Sequence, residues 1–161
     1  MARAFLSING DRCDSDYERA IVDDLIERGI RYKYEDVEHA RLYYATPVMN
    51  GLCEACGTSG VQVVQKRYRT LDLYLPDQDI IVEVKGKFSG TYRTYMRHIK
   101  RCNPDKDIRM IFMADNWQTK AKIRRYSDFC RTHGIPVAVG DPRQKPGTKA
   151  YGEGGIPDAW L

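Results

Sequence analysis

A chain of 161 residues that is 42% hydrophobic and 30% charged can build one ordinary core and is too apolar for wholesale disorder. Its five cysteines form no paired ladder, no apolar run nears the ~20 residues of a membrane span, and the start lacks a secretory leader, which together describe a soluble, cytoplasmic domain with reduced thiols. The net charge of +4 divides unevenly, −5 over residues 1–84 against +11 over residues 85–149, as expected of a protein that handles a polyanion.

Residues 1–13 show no periodicity and read as a flexible arm. Ser15-x-x-Glu18 fits a capping box, and Tyr17, Ile21 and Leu25 recur at helical spacing up to Gly29, a C-terminal stop. Ile30 to Glu35 alternates like a strand. Residues 36–60 read as irregular, with Pro47, Asn50-Gly51 and the segment Cys53-Glu-Ala-Cys56-Gly57. Strand character returns from Val61 to Leu75; Pro76 to Asp79 is a turn and Ile80 to Lys85 a second strand. Predicted helices over Thr91 to Cys102 and Ala121 to His133 bracket a buried-type strand, Ile108 to Met113. Ile135 to Val139 is a last short strand. The tail, residues 142–161, is rich in Gly and Pro and ends in an apolar anchor, Ile156-Pro-Asp-Ala-Trp160. This order predicts the α/β class, with a mixed central sheet flanked by helices.

The chemistry concentrates in Leu71-Asp72-Leu-Tyr-Leu75 and Ile80-Ile-Val-Glu83-Val-Lys85. Alternate residues of a strand share a face, so Glu83 and Lys85 point the same way. A two- or four-residue loop makes paired residue numbers sum to 155, which sets Asp72 opposite Glu83. Two carboxylates at cross-strand distance repel unless a cation lies between them. Oxygen ligands on a firm scaffold suit Mg²⁺ or Mn²⁺ with a substrate phosphate, and a neighbouring Lys can act on the attacking water or offset transition-state charge. The competing interpretation is a solvated edge hairpin, in which Asp, Glu and Lys are ordinary. Glu18 lies beside the apolar stripe of the first helix, where its carboxylate could close the cap or complete a metal shell.

Together, Glu18, Asp72 and Glu83-x-Lys85 resemble the PD-(D/E)xK nuclease pattern. More closely, the chain resembles the phage endonuclease I family of Holliday-junction resolvases. The resemblance is carried by Ser15-Asp-Tyr-Glu18, Leu25-Ile-Glu-Arg-Gly-Ile-Arg-Tyr-Lys-Tyr-Glu35, Thr70-Leu-Asp72-Leu-Tyr-Leu-Pro76 and Ile81-Val-Glu83-Val-Lys85-Gly86. It continues through Asp107 to Phe112, Tyr126 to Ile135 and Ile156 to Trp160, and so runs in order from about residue 14 to the end. It implies a restriction-endonuclease-like core in residues 14–141 and a divalent-metal-dependent endonuclease acting on four-way and other branched double-stranded DNA. It also implies an intertwined homodimer bridged through residues 42–60. Asp72 and Glu83, with Glu18 and the Val84 carbonyl, would hold Mg²⁺ or Mn²⁺, and Lys85 would be the catalytic lysine. The chain departs from the family pattern at Leu71, where a proline is expected, and in a longer bridging region that contains Cys53-x-x-Cys56.

Cys53 and Cys56 have zinc-knuckle spacing, and two copies meeting across a two-fold could supply four thiolates to a structural Zn²⁺; a plain reduced loop is the other reading. Arg93, Arg97, Lys100 and Arg101 on one predicted helix, and Lys120, Lys122, Arg124 and Arg125 opening the next, suit phosphate contacts to DNA. Two alternatives stay open. One is another PD-(D/E)xK nuclease of nicking, repair or restriction type. The other is a non-catalytic nucleic-acid-binding module with a zinc loop, which would bind without hydrolysis under any divalent ion.

Overall fold

The computed structural model describes residues 5–51, 55–56, 58–59, 61–144 and 154–161. Cys53, half of the proposed zinc knuckle, therefore lies outside the described residues. Cys56 is exposed, with its Sγ 3.2 Å from the Thr58 hydroxyl.

The first helix, α1, runs Asp16–Glu27. Ser15 caps it, its side chain accepting the Glu18 N–H at 3.2 Å, a contact of about 1 kcal/mol. Glu18 returns the interaction differently from a regular capping box: its carboxylate accepts the Ser15 hydroxyl at 3.0 Å and the Asp14 N–H at 3.1 Å. Gly29, at φ +68°, ends the helix as expected. The segment read as an arm holds short structure in its described part. Within it, β1 (Phe5–Leu6) and β2 (Arg12–Cys13) form a small hairpin over a turn that contains Gly10 at φ +88°. Strands of two residues are too short to imprint a periodicity, yet the hairpin buries Cys13 against α1.

The central sheet takes β3 (Lys33–Tyr34), β6 (Leu73–Leu75), β7 (Ile80–Lys85), β8 (Asp107–Phe112) and β9 (Val137–Val139), in that spatial order. The β3–β6 and β6–β7 pairs are antiparallel and the other two parallel, so the expected mixed α/β sheet is present. Leu73 pairs with Val82, Tyr74 with Ile81 and Leu75 with Ile80 across a four-residue turn, the predicted register. The predicted strand at 30–35 shrinks to two residues, because Glu35 turns into the left-handed region at φ +47°.

Residues 41–51, expected to be irregular, belong to β4 (Arg41–Gly51), which pairs with β5 (Val61–Thr70) in a separate antiparallel ribbon. The run read as one strand from Val61 to Leu75 therefore breaks at Leu71–Asp72 and serves two sheets. The second helix, α2, spans Gly90–Cys102 and is capped by Ser89, whose hydroxyl accepts the Tyr92 N–H at 3.2 Å. The third, α3, is only Tyr126–Thr132. Lys120, Lys122, Arg124 and Arg125 thus lie in a loop, not on the predicted helix. Lys122 at φ +54° and the Trp117–Arg125 bridge hold that loop out of helical geometry.

Two apolar clusters lie on opposite faces of the sheet. Tyr17, Ile21, Val22 and Leu25 of α1 meet Leu73, Leu75, Val82, Val84 and Ile111. Phe88, Met96 and Ile99 with Tyr126 and Cys130 meet Tyr74, Ile81, Met110 and Phe112. Each fully buried aliphatic side chain contributes about 1.5–3 kcal/mol. The tail anchor is real: Ile156 is buried, a 3₁₀ turn covers Asp158–Trp160, and the Arg28 guanidinium donates to the Ile156 carbonyl at 2.7 Å and to Asp158 at 2.6 Å.

Candidate active site

Strand β7 is buried along nearly its whole length, and its alternation sends Val82 and Val84 toward α1. Glu83 must then face the α2 layer, where it is wholly inaccessible to solvent at 0% exposure. Asp72, at the break between the ribbon and β6, is also buried. Its Oδ2 accepts the Val84 N–H at 2.7 Å and the Lys85 ammonium at 3.1 Å, while its own N–H approaches Glu83 Oε2 at 3.3 Å. Lys85 Nζ sits 2.7 Å from Glu83 Oε1. The hairpin therefore brings Asp72, Glu83 and Lys85 into one buried polar cluster, as the register predicted.

Glu18 stands beside this trio and not within it. Its carboxylate accepts the Tyr34 hydroxyl at 2.9 Å in addition to the cap contacts. Among the described residues, the group of three His, Cys, Asp or Glu ligand atoms that converge within 4.8 Å is Asp36, Glu38 and His39. That surface group already shares Lys33, whose ammonium is 3.4 Å from Asp36.

Burial, and next the Glu83 charge, raises the Asp72 carboxyl well above the ordinary carboxylate range; Lys85 counters this, and Glu18 adds to it. Burial alone would lower Lys85, but the Glu83 and Asp72 carboxylates outweigh it and hold the ammonium protonated. Two buried carboxylates, Asp72 and Glu83, thus share one ammonium, with buried Glu18 beside them. The uncompensated negative charge and the all-oxygen donor set fit a hard divalent cation.

Three participants escaped the sequence reading. Tyr92, from the first turn of α2, donates its hydroxyl to Glu83 Oε1. Arg69, at the inner end of β5, donates to that same hydroxyl at 2.9 Å and stacks over the Tyr92 ring at 4.4 Å. The ribbon is in this way wired to the buried glutamate. Glu35 is the third: its N–H donates to the Asp72 carbonyl at 2.8 Å. Its carboxyl is raised by burial and by Asp14, Glu18 and Glu83. Glu35 ends a segment that carries the family resemblance and Tyr92 lies on a predicted helix, but nothing in the sequence marks Arg69.

The predicted phosphate-binding residues divide in two. Arg97 and Arg101 are exposed, Lys100 bonds the Lys106 carbonyl at 3.0 Å, and with His133 they line an open cleft of about 530 Å³ between the ends of α2 and α3. Arg93 folds back onto the Phe88 carbonyl at 2.7 Å. Lys120, Lys122, Arg124 and Arg125 are all exposed in the loop that follows β8.

Comparison with known proteins gives two matches. The family model for phage endonuclease I matches residues 4–140. The endonuclease I of Escherichia phage T7 is 27% identical over 125 residues, which cover 77% of this chain and 70% of that protein. No helix of the described residues is long and apolar enough to cross a membrane.

Proposed function

Because the chain belongs to the phage endonuclease I family and is an endonuclease, we propose that it resolves four-way and branched DNA junctions as a homodimer, by divalent-metal-dependent phosphodiester hydrolysis. The observation that carries this reading is the buried Asp72–Glu83–Lys85 set with its excess of negative charge. A non-catalytic DNA-binding module has no use for that arrangement, which costs stability.

Asp72 and Glu83 would hold Mg²⁺ or Mn²⁺, with the Val84 carbonyl and Glu18 completing the shell. When bound, the ion supplies charge stabilisation at the phosphate and lowers the pKa of a coordinated water. Glu83 is aimed by the Tyr92 hydroxyl and Asp72 by the Val84 N–H. Lys85 is an ammonium held by both carboxylates, so it donates to the oxygens of the scissile phosphate as charge builds there. Arg97, Lys100 and Arg101, far along α2, hold DNA backbone outside the cluster. Residues 42–60, which overlap strand β4, would form the bridge to the second protomer, and the nuclease domain, residues 14–141, would have a PD-(D/E)xK core.

The test is cleavage of a synthetic four-way junction. Wild-type protein with Mg²⁺ yields nicked duplexes, chelator stops the reaction, and Glu83→Ala abolishes cutting while junction binding survives. Equal cutting of linear duplex and junction would overturn junction selectivity. Sedimentation at micromolar concentration reads the dimer.

A further inference from the structure

The loop between β8 and α3, residues 114–125, is a built element. Gln118 N–H donates to the Arg124 carbonyl at 2.8 Å, the Gln118 side-chain amide to the Arg125 carbonyl at 2.6 Å, and Lys122 N–H to the Thr119 carbonyl at 3.1 Å. Arg125 stacks over Trp117 at 4.1 Å and donates to the Asp115 carbonyl at 2.7 Å. The result is a small closed hairpin that carries Ile123.

Ile123 is 77% exposed and Trp117 38%. A lone exposed Ile is ordinary on a protein surface. Here it is set among Lys120, Lys122, Arg124 and Arg125, and the stretch Trp117 to Arg125 contains no carboxylate. An exposed apolar side chain flanked along the chain by exposed cations suits a polyanion with apolar faces inside it, which is the chemistry of DNA: phosphates outside, bases within.

Position adds a second argument. β8 lies parallel to β7, and the Met113 N–H at the loop's start donates to the Lys85 carbonyl at 3.3 Å. The loop therefore leaves the sheet beside the lysine of the active site, at the carboxyl ends of the two parallel strands. A DNA strand seated on Lys85 passes close to where this loop emerges.

We infer that Ile123 is a wedge that enters an opened base step of branched DNA while Lys120, Lys122 and Arg124 grip the flanking phosphates. The inference rests on the junction-cleaving reading and supplies it with a source of selectivity. Side chains that intercalate must unstack a base step, and a continuous duplex resists that more than a branch point, where stacking is already interrupted. The same wedge thus discriminates between substrates of identical sequence and charge.

The experiment uses the full chain and a four-way junction carrying 2-aminopurine at the branch, in chelator so that nothing is cut. Wild-type binding raises the 2-aminopurine fluorescence, which reports unstacking. Ile123→Ser loses that rise and about tenfold of the preference for junction over linear duplex, whereas Ile123→Leu restores both. Lys122→Gln weakens junction and duplex alike and lowers the salt slope by about 1. Ile123→Ser that keeps the fluorescence rise and the preference overturns the wedge. Cleavage with Mg²⁺ separates the two levels: a wild-type protein that ignores junctions defeats the function reading itself. Wild type and Ile123→Ser that select junctions equally defeat only the wedge.

Discussion

At the scale of single residues, the site is arranged against stability. Asp72 and Glu83 are buried within reach of one another's hydrogen bonds and share a single ammonium. Asp72→Asn removes one of the repelling charges while keeping an acceptor for the Val84 N–H. We expect it to raise the metal-free Tm by about 3 °C, corresponding to about 1 kcal/mol, and to abolish cleavage; a melting curve beside a junction assay checks both. Tyr92 is the more specific test. Its hydroxyl is the link between the Arg69 guanidinium and Glu83, and its ring stays packed against Phe88 and Tyr95 whether or not the hydroxyl is there. Tyr92→Phe should therefore lower Tm by about 3 °C, for a lost hydrogen bond of about 1 kcal/mol, leave junction KM unchanged, lower kcat about tenfold and raise the Mn²⁺ concentration for half-saturation, as loss of a group that orients a metal ligand does. Calorimetric Mn²⁺ titration reads the last effect without turnover.

At the scale of elements, legibility followed how much of the pattern was local. The β6–β7 hairpin was readable because alternation and a proline-led turn fix its register together, and that register alone sets Glu83 beside Asp72. The Ser15 cap and the Gly29 stop were readable for the same reason. The ribbon was not: Leu42 and Tyr44 alternate as a strand should, but Pro47 interrupts the run. The start of α3 was misplaced because Lys120 to Arg125 has good helix formers, while tertiary bridging through Trp117 and Asp115 overrides that propensity. Tyr92 and Arg69 could not be joined to the site from sequence, since the contact depends on α2 lying against the ribbon. The cap carries its own prediction. Ser15 both starts α1 and donates to Glu18, so Ser15→Ala should lower Tm by about 3 °C, the equivalent of about 1 kcal/mol, and also slow cleavage. Ser15→Thr, which preserves the hydroxyl, should restore both.

At the scale of the whole molecule, the first helix and the last strand are tied together beyond the sheet. The Tyr17 hydroxyl donates to the Gly140 carbonyl at 2.6 Å, and Arg143 joins buried Asp141 at 2.6 Å to Asp16 at the start of α1. This closure holds the turn that carries Glu18 against the body of the domain. The Arg143 hydrogen bonds keep the Asp141 carboxyl below its ordinary value even though burial opposes them. A carboxyl depressed in the folded state is stabilising above its unfolded pKa of about 3.9, and the contribution disappears as pH falls through the lower folded value. Asp107, held down by Arg109, works in the same direction. Stability should therefore be steady from neutrality to about pH 4 as far as these groups are concerned, then fall. Asp141→Asn should cost about 1 kcal/mol at pH 7, a value reduced by the solvent around the partly exposed Arg143, and its Tm should drop less than the wild type's between about pH 4 and pH 2. Melting curves across that range decide the matter: parallel profiles for the two proteins would mean that Asp141 does not hold the first helix to the last strand.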